Sequence, residues 1–325
     1  MEGERDEETV GEEVEESGRH RAKASHDPRT PSERERREHM LTHLPYRSWC
    51  TICVGARGYA LPHPHQDEIS DIATVCADYF YMGEREHPGC ICSIIIKDAR
   101  SKAITSLAVP KKGRDRYVEE RFVQALSFLG YKKVICRTDQ EPALCALIDD
   151  VKAHWRGELI HERAPTGDHR ANGWVEAGVR TVEAQIKALK LATESRYGIE
   201  LDHTSILIPW MVDYAGWQVT RYGIGREGKT PYRILKGKDT EVQLCEFAEC
   251  IQFKPAGITR ARGKLQSILM NGVYLGKTHT SGESLVGTAD GIYKARDIYR
   301  KPADERFNVD MLKTLRGTPW KNHLE

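Results

Sequence analysis

"ATVCADYFYMGEREHPGCICSIIIKDARSKAITSLAVP" (residues 73–110) holds three β-rich runs, 73–82, 90–99 and 102–110, with turn-like breaks at 83–89 and 99–102. Such closely spaced runs of Val, Ile, Tyr and Phe predict an antiparallel meander, because parallel neighbours need a crossover of a dozen or more residues. Helical spacing then appears over 116–130, followed by a strand at 132–139. Pro142 opens a helix over 143–155, and 158–165 is a further short strand. The next stretch, "APTGDHRANGWVEAGVR" (164–180), predicts a flexible loop bracketed by Gly167 and Gly173, with Pro165 blocking an earlier helix start. From Val175, apolar residues at three- and four-residue steps predict a long helix to about Tyr197, and a last helix over 208–222 carries Trp210 and Trp217.

Three meander strands followed by alternating helices and strands predict an α/β fold: a ribonuclease H-like mixed sheet with flanking helices. Doubly wound α/β proteins also alternate strands and helices, but their sheets are parallel, and the opening meander argues against them. From Glu241 onward, short strands separated by glycine predict a small C-terminal β domain, barrel-like in pattern. The expected organisation is a disordered charged tail at 1–37, a His/Cys segment at 38–58, a core at 66–238 and the β domain at 239–316.

The chain has 325 residues, 39% hydrophobic and 30% charged, enough for a sizeable core. No run approaches the ~18 apolar residues of a membrane span, and the acidic N-terminus is unlike a secretory signal. Nine cysteines, an odd number, are then expected as reduced thiols in the nucleus or cytoplasm. Residues 1–38 carry 13 Asp/Glu against 8 Lys/Arg, so the net charge of +1 conceals a mildly basic body. That balance suits a polyanionic partner but does not single one out.

Three carboxylates stand out by position. Asp78 lies inside a strand that should be largely buried, and Asp139 ends the strand whose apolar stretch is 134–136. Glu176 is expected on the first turn of the long helix, with Arg180, Glu183 and Lys187 on roughly the same face. An acidic group in or beside a buried strand is costly unless it is paired or metal-bound. Three of them near one point suit oxygen ligation of hard divalent cations, Mg²⁺ or Mn²⁺. Two such ions, roughly 3.5–4 Å apart, stabilise the attacking and leaving oxygens of a phosphodiester.

Asp78 in "CADYF", Asp139 in "RTDQEPAL" and Glu176 in "NGWVEAGVRTV" resemble the D,D-35-E triad of retroviral and retrotransposon integrases; here 60 and 36 residues separate them. Downstream, "IPWMVDYAGWQVTRYGIGREGKTPYRILKGK" is similar to the end of copia-type integrase cores, and "GVYLGKTHTSGESLVGTADGIYKARDIYR" to the β segment that follows them. The resemblance covers about residues 38–300. It implies a nuclear polynucleotidyl transferase of a retrotransposon that trims DNA 3′ ends and joins them to target DNA, working as a homo-oligomer with Asp78, Asp139 and Glu176 holding Mg²⁺ or Mn²⁺. It also implies that the loop adapts to bent DNA, with Asn172 and Gly173 allowing close backbone approach. Arg180 and Lys187 suit phosphate contacts; they equally suit an ordinary charged helix face. Glu183 and Asp168 read as solvated surface residues.

His39-x3-His43-x6-Cys50-x2-Cys53 has the ligand types of a structural Zn²⁺ site, its histidine spacing placing both rings on one helix face. Integrases carry a His-His-Cys-Cys module before the core, usually with some twenty or more residues between the second His and first Cys. The six here leave little space for a helix. The alternative is a remnant in which Tyr46 and Trp49 merely pack against the core. Cys76, Cys92, Cys136 and Cys145 suit buried positions. Two further readings of the whole chain share the fold: a catalytically silent mobile-element remnant or domesticated nucleic-acid-binding protein, and a structure-specific nuclease that cuts without joining.

Overall fold

The computed structural model describes residues 29–57, 71–83, 90–163, 169–225, 228–255 and 267–322, with the side chains of 57 and 169–172 excepted. Strand β1 (Ala73–Met82), β2 (Ile91–Asp98) and β3 (Ile104–Ala108) form the meander. Helix α3 (Arg116–Leu129), β4 (Lys133–Thr138), α4 (Pro142–His154), β5 (Glu158–Arg163), α5 (His169–Tyr197) and α6 (Leu207–Tyr222) follow, after α1 (Glu33–Met40) and α2 (Thr51–Arg57). The first sheet has the order β3-β2-β1-β4-β5, antiparallel across the meander and parallel from β1 to β4 to β5. This is the mixed sheet of the ribonuclease H-like fold, with helices on both faces.

Alternation along β1 sorts its side chains between those faces. Val75, Ala77 and Tyr79 pack with Val118, Phe122 and Leu126 of α3 and Leu144, Leu147 and Ile148 of α4. Cys76 and Phe80 pack on the other side with Val175, Val182 and Ile186 of α5 and with α6. Asp78 has the parity of the second set, which turns it toward α5.

Helix α6 is buried from Leu207 to Arg221 because both of its sides are covered. One side meets β3, an edge strand whose outward N–H and C=O groups would otherwise lack partners. The Ile104 amide donates to Thr220 Oγ1 (2.8 Å), that hydroxyl donates to the Ile104 carbonyl (2.7 Å), and the Ala108 amide donates to Asp213 Oδ1 (2.9 Å). The helix comes this close because residue 216 is glycine: a Cβ there would lie 2.5 Å from the Ser106 nitrogen. On the other side Tyr214 lies against Gly276 and the ring of Tyr274, centroids 6.0 Å apart.

Tyr274 belongs to a second, wholly antiparallel sheet, β10-β6-β7-β8-β9. Its strands are β6 (Cys250–Phe253), β7 (Met270–Lys277), β8 (Ser284–Thr288), β9 (Gly291–Ala295) and β10 (Ile298–Arg300). It is open among the described residues, with β9 and β10 at its edges, rather than a closed barrel. Two short helices, α7 (Pro231–Lys236) and α8 (Val309–Thr314), follow the helix that sequence periodicity marks as the last.

Two element boundaries differ from the sequence expectation. Helix α1 starts inside the segment read as charged tail, under a capping box in which Ser32 and Glu35 satisfy each other's backbone N–H; residues 1–28 lie outside the described residues. Helix α5 starts at His169, so Gly173 is a helical residue and Glu176 sits seven residues past the helix start, not in the first turn. Pro165 excludes helix only in its own neighbourhood, and a lone glycine weakens a helix by about 1 kcal/mol without ending it. Among the described residues no helix is long and apolar enough to cross a membrane.

The two glycines therefore predict opposite responses to the same substitution. Gly216→Ala forces α6 off β3 and should lower unfolding free energy by about 1–3 kcal/mol. Gly173→Ala, where nothing lies within 4 Å of the added methyl, should raise it by up to about 1 kcal/mol. Urea denaturation of the two variants beside the parent chain measures both.

Candidate active site and His/Cys cluster

Asp78 is held by register. It pairs with Ile95 on β2, while the β1–β4 ladder runs to Cys76 opposite Arg137. Two residues further along each of these parallel strands come Asp78 and Asp139, side by side where the ladder has ended. Asp139 is fixed by the turn that leads into α4, accepting the Glu141 amide at Oδ1 (3.1 Å) ahead of Pro142 at the helix start. Burial pushes the Asp78 carboxyl from its ordinary 3.8 up to about 6, and the charge of Asp139 adds to the rise. Lys112 offsets part of that, but its ammonium is engaged by Glu141 at 2.5 Å.

Glu176 faces the same place from the helix side. A cleft of about 470 Å³ opens between the end of β1 and α5, lined by Asp78, Phe80 and Gly83 on one wall and Glu176, Val179, Arg180 and Glu183 on the other. Glu176 is exposed to solvent, and Arg180 Nη1 stands 3.9 Å from its Oε2 one turn on. Asp139 is not part of the lining and belongs to the site through Asp78.

Glu183 is half-buried in the cleft wall, its carboxyl pushed up by burial, so it is not the solvated residue its sequence context suggests. The available signal is its seven-residue spacing from Glu176, two turns along one helix face. Lys187, one turn further, is exposed and outside the cleft lining. Gly173 is exposed on the helix, while the side chain of Asn172, and Asp168 altogether, lie outside the described residues. A carboxyl pushed up by burial and by a neighbouring carboxylate, with Glu176 across the cleft from it, is a setting in which a hard divalent cation relieves repulsion. The donor set of Asp78, Asp139 and Glu176 thus fits Mg²⁺ or Mn²⁺ chemically.

The histidines and cysteines converge more tightly. One donor atom from each of His39, His43, Cys50 and Cys53 lies within 4.8 Å of all the others, and all four residues are buried. His39 Nε2 is 3.2 Å from Cys53 Sγ, and His43 Nδ1 is 3.5 Å from Cys50 Sγ. The two histidines do not share a helix face, because α1 ends at Met40 and His43 lies beyond it at φ +53°. That turn carries the second ring back over the first, with centroids 5.3 Å apart. No helix forms between His43 and Cys50, in keeping with the short spacing. The Cys53 hydrogen bond, with those of His39 and His43, holds the Cys50 thiol down at about 2. Two imidazoles and two thiols, one strongly acidified, form a donor set suited to tetrahedral Zn²⁺.

This cluster is docked on the core. The Gln185 side-chain amide donates to the Thr42 carbonyl (2.6 Å) and to Gln218 Oε1 (2.8 Å), and Gln218 donates to the Leu41 carbonyl (3.3 Å). Trp49 packs edge-on against His39 with centroids 4.9 Å apart, whereas Tyr46 is exposed. None of the nine cysteines forms a disulfide; Cys76, Cys136 and Cys145 are buried and Cys92 is half-buried.

No protein-family model matches the chain, and no curated protein matches it in sequence. Among solved structures, the chain is similar to the HTLV-2 integrase catalytic core domain in complex with magnesium, at 19% identity and a TM-score of 0.36, over 50% of this chain and 95% of that one. It is similar to the simian T-cell lymphotropic virus intasome in complex with the PP2A regulatory subunit B56 gamma, at 12% identity and a TM-score of 0.39, over 82% and 98%. The BIV integrase catalytic core domain gives 14% identity and a TM-score of 0.33, over 50% and 92%. Likenesses of this degree carry no functional argument, and the fold assignment rests on strand order and direction.

The position of Asp78 generates a pH signature. Its folded pKa, about 6, lies above the ordinary 3.8, so between those values the folded state binds the extra proton. Ionised Asp78 therefore costs stability above pH 6, and the cost fades as pH falls toward 4. Without divalent metal, Asp78→Asn should exceed the parent in stability at pH 8 by on the order of 2 kcal/mol. Urea titrations from pH 8 to 4 should show that gap closing below pH 6.

Proposed function

We propose that the chain is an integrase-type polynucleotidyl transferase of copia-type retrotransposon descent, processing DNA 3′ ends and joining them to target DNA. The observation that supports this reading is that Asp78 and Glu176 line facing walls of one cleft, with Asp139 beside Asp78 on the neighbouring strand. Each element contributes a different constraint. The β1 register holds Asp78, the turn before α4 orients Asp139, and α5 projects Glu176 over the open side.

Mg²⁺ or Mn²⁺ bound by these groups would polarise the scissile phosphate and acidify the attacking water or 3′-hydroxyl. Asp78 would supply a partly desolvated carboxylate in the cleft wall, with Asp139 beside it. Glu176 is exposed enough to meet a substrate phosphate region, and Arg180 beside it offers a guanidinium to a backbone phosphate. The direct partners are then the element's DNA ends and target DNA, in the nucleus, with a homo-oligomer presenting two ends together. The His39, His43, Cys50 and Cys53 cluster would hold a structural Zn²⁺ that closes the segment preceding the core.

Two experiments test this reading. On a branched DNA substrate with Mg²⁺ or Mn²⁺, the parent chain should resolve the branch by strand-joining reversal, and Glu176→Gln should reduce the rate at least about 10³-fold. Full activity in that variant would remove Glu176 from the site; a folded, DNA-binding parent with no activity would instead favour the silent nucleic-acid-binding reading. For the second metal, native mass spectrometry should find one Zn²⁺ per chain, absent from the Cys50→Ser/Cys53→Ser double variant. A zinc-free parent of unchanged thermal stability would contradict the structural role.

A further inference from the structure

Lys97 has no place in the triad, yet its surroundings tie it to the site. It stands near the end of β2, between Cys76 on β1 and Ile104 on β3, and is only 8% exposed. An ammonium group in the interior of a sheet is costly unless something on the facing layer receives it. The facing layer here is α5. Lys97 Nζ donates to the Trp174 carbonyl at 2.9 Å and stands 4.3 Å from the centroid of the Trp174 ring. Its methylene stem runs beneath Gly178, where a Cβ would lie 2.8 Å from Lys97 Cδ and 3.1 Å from Ile95 Cδ1.

These contacts fall two residues before and two residues after Glu176. Ile95, the other side chain under Gly178, is the register partner of Asp78. One strand therefore fixes Asp78 through the β1–β2 ladder and fixes the Glu176 turn through Lys97. We propose that Lys97 is a positioning residue: a buried ammonium and its stem clamp the Trp174–Gly178 turn of α5 to β2 and so set the separation between Glu176 and the two aspartates. This rests on the reading of those three carboxylates as a divalent-metal site.

The clamp acts through the backbone and does not touch a ligand atom, so its loss should appear in metal affinity before it appears in folding. Lys97→Met keeps most of the stem and removes the ammonium. In the full chain with its His/Cys cluster zinc-loaded, Mn²⁺ binding followed by the electron paramagnetic resonance of free Mn²⁺ should weaken about 10-fold, as when an outer-shell partner of a ligand is lost. The Mn²⁺ concentration for half-maximal strand-joining reversal should rise by the same factor, and the rate at saturating Mn²⁺ should stay close to that of the parent. Lys97→Arg, which retains a donor and a cation for the Trp174 ring, should recover most of the affinity.

Gly178→Ala provides an independent arm should Lys97→Met fail to fold, since the added methyl displaces the same stem and should shift Mn²⁺ affinity in the same direction. Parent-like Mn²⁺ binding in every folded variant that disturbs the clamp would overturn the proposal. Glu176→Gln separates this failure from failure of the underlying reading. If that variant loses Mn²⁺ affinity and activity while the clamp variants do not, the site stands and Lys97 is only structural; if it loses neither, the site itself is misassigned.

Discussion

Two carboxylates set side by side on adjacent parallel strands, one of them half-buried, repel each other in the folded chain. Asp78 carries the consequence directly, its carboxyl pushed up to about 6 by burial and by Asp139. Chain geometry leaves little room to escape. The β1–β2 ladder fixes Asp78 opposite Ile95, and the turn into α4 fixes Asp139 through the Glu141 amide. A fold that needed only a stable core would place an apolar residue at position 78, where Cys76 and Phe80 on either side already pack inward. A divalent cation bound there would relieve the repulsion, and the third carboxylate, Glu176, lines the same cleft from α5.

The rest of the architecture keeps those two walls in register. Helix α6 fills the space between the sheets, closes the open edge of β3 through Thr220 and Asp213, and supports α5 through the Gln185–Gln218 amide pair. The same pair grips the Leu41–Thr42 turn, which lies between the first two members of the His/Cys cluster. That segment is thus packed onto the helix that carries Glu176, and order in one supports order in the other. Buried amide networks of this kind rigidify a core when every member is satisfied.

Much of this was legible in the amino-acid sequence, and the exceptions have identifiable physical causes. The meander could be read because runs such as "IIIK" and "TVCADYFYM" leave β structure as the only economical way to bury them. The carboxylates could be read because Asp78 interrupts such a run and Asp139 ends another. The start of α5 was hidden because Pro165 and Gly173 look like breakers, although neither prevents helix from His169 onward. Charge concealed α1, whose Ser32–Glu35 capping box was nevertheless present in the residues. His39 and His43 have the spacing of one helix face, but the chain leaves the helix between them, and only the backbone turn at His43 shows how the rings converge. Lys97 and Glu183 could not be sorted from other charged residues until β2 and α5 were seen to pack, because their roles depend on which layer lies opposite.

The central question is whether the three carboxylates hold one divalent-metal centre. Crystals of the zinc-loaded chain soaked in Mn²⁺ and measured at the manganese absorption edge address that directly. Anomalous density is expected between Asp78 and Asp139, within coordination distance of both carboxylates and on the side facing Glu176. A well-ordered cleft with no manganese there, or with the metal held elsewhere on the surface, would contradict it.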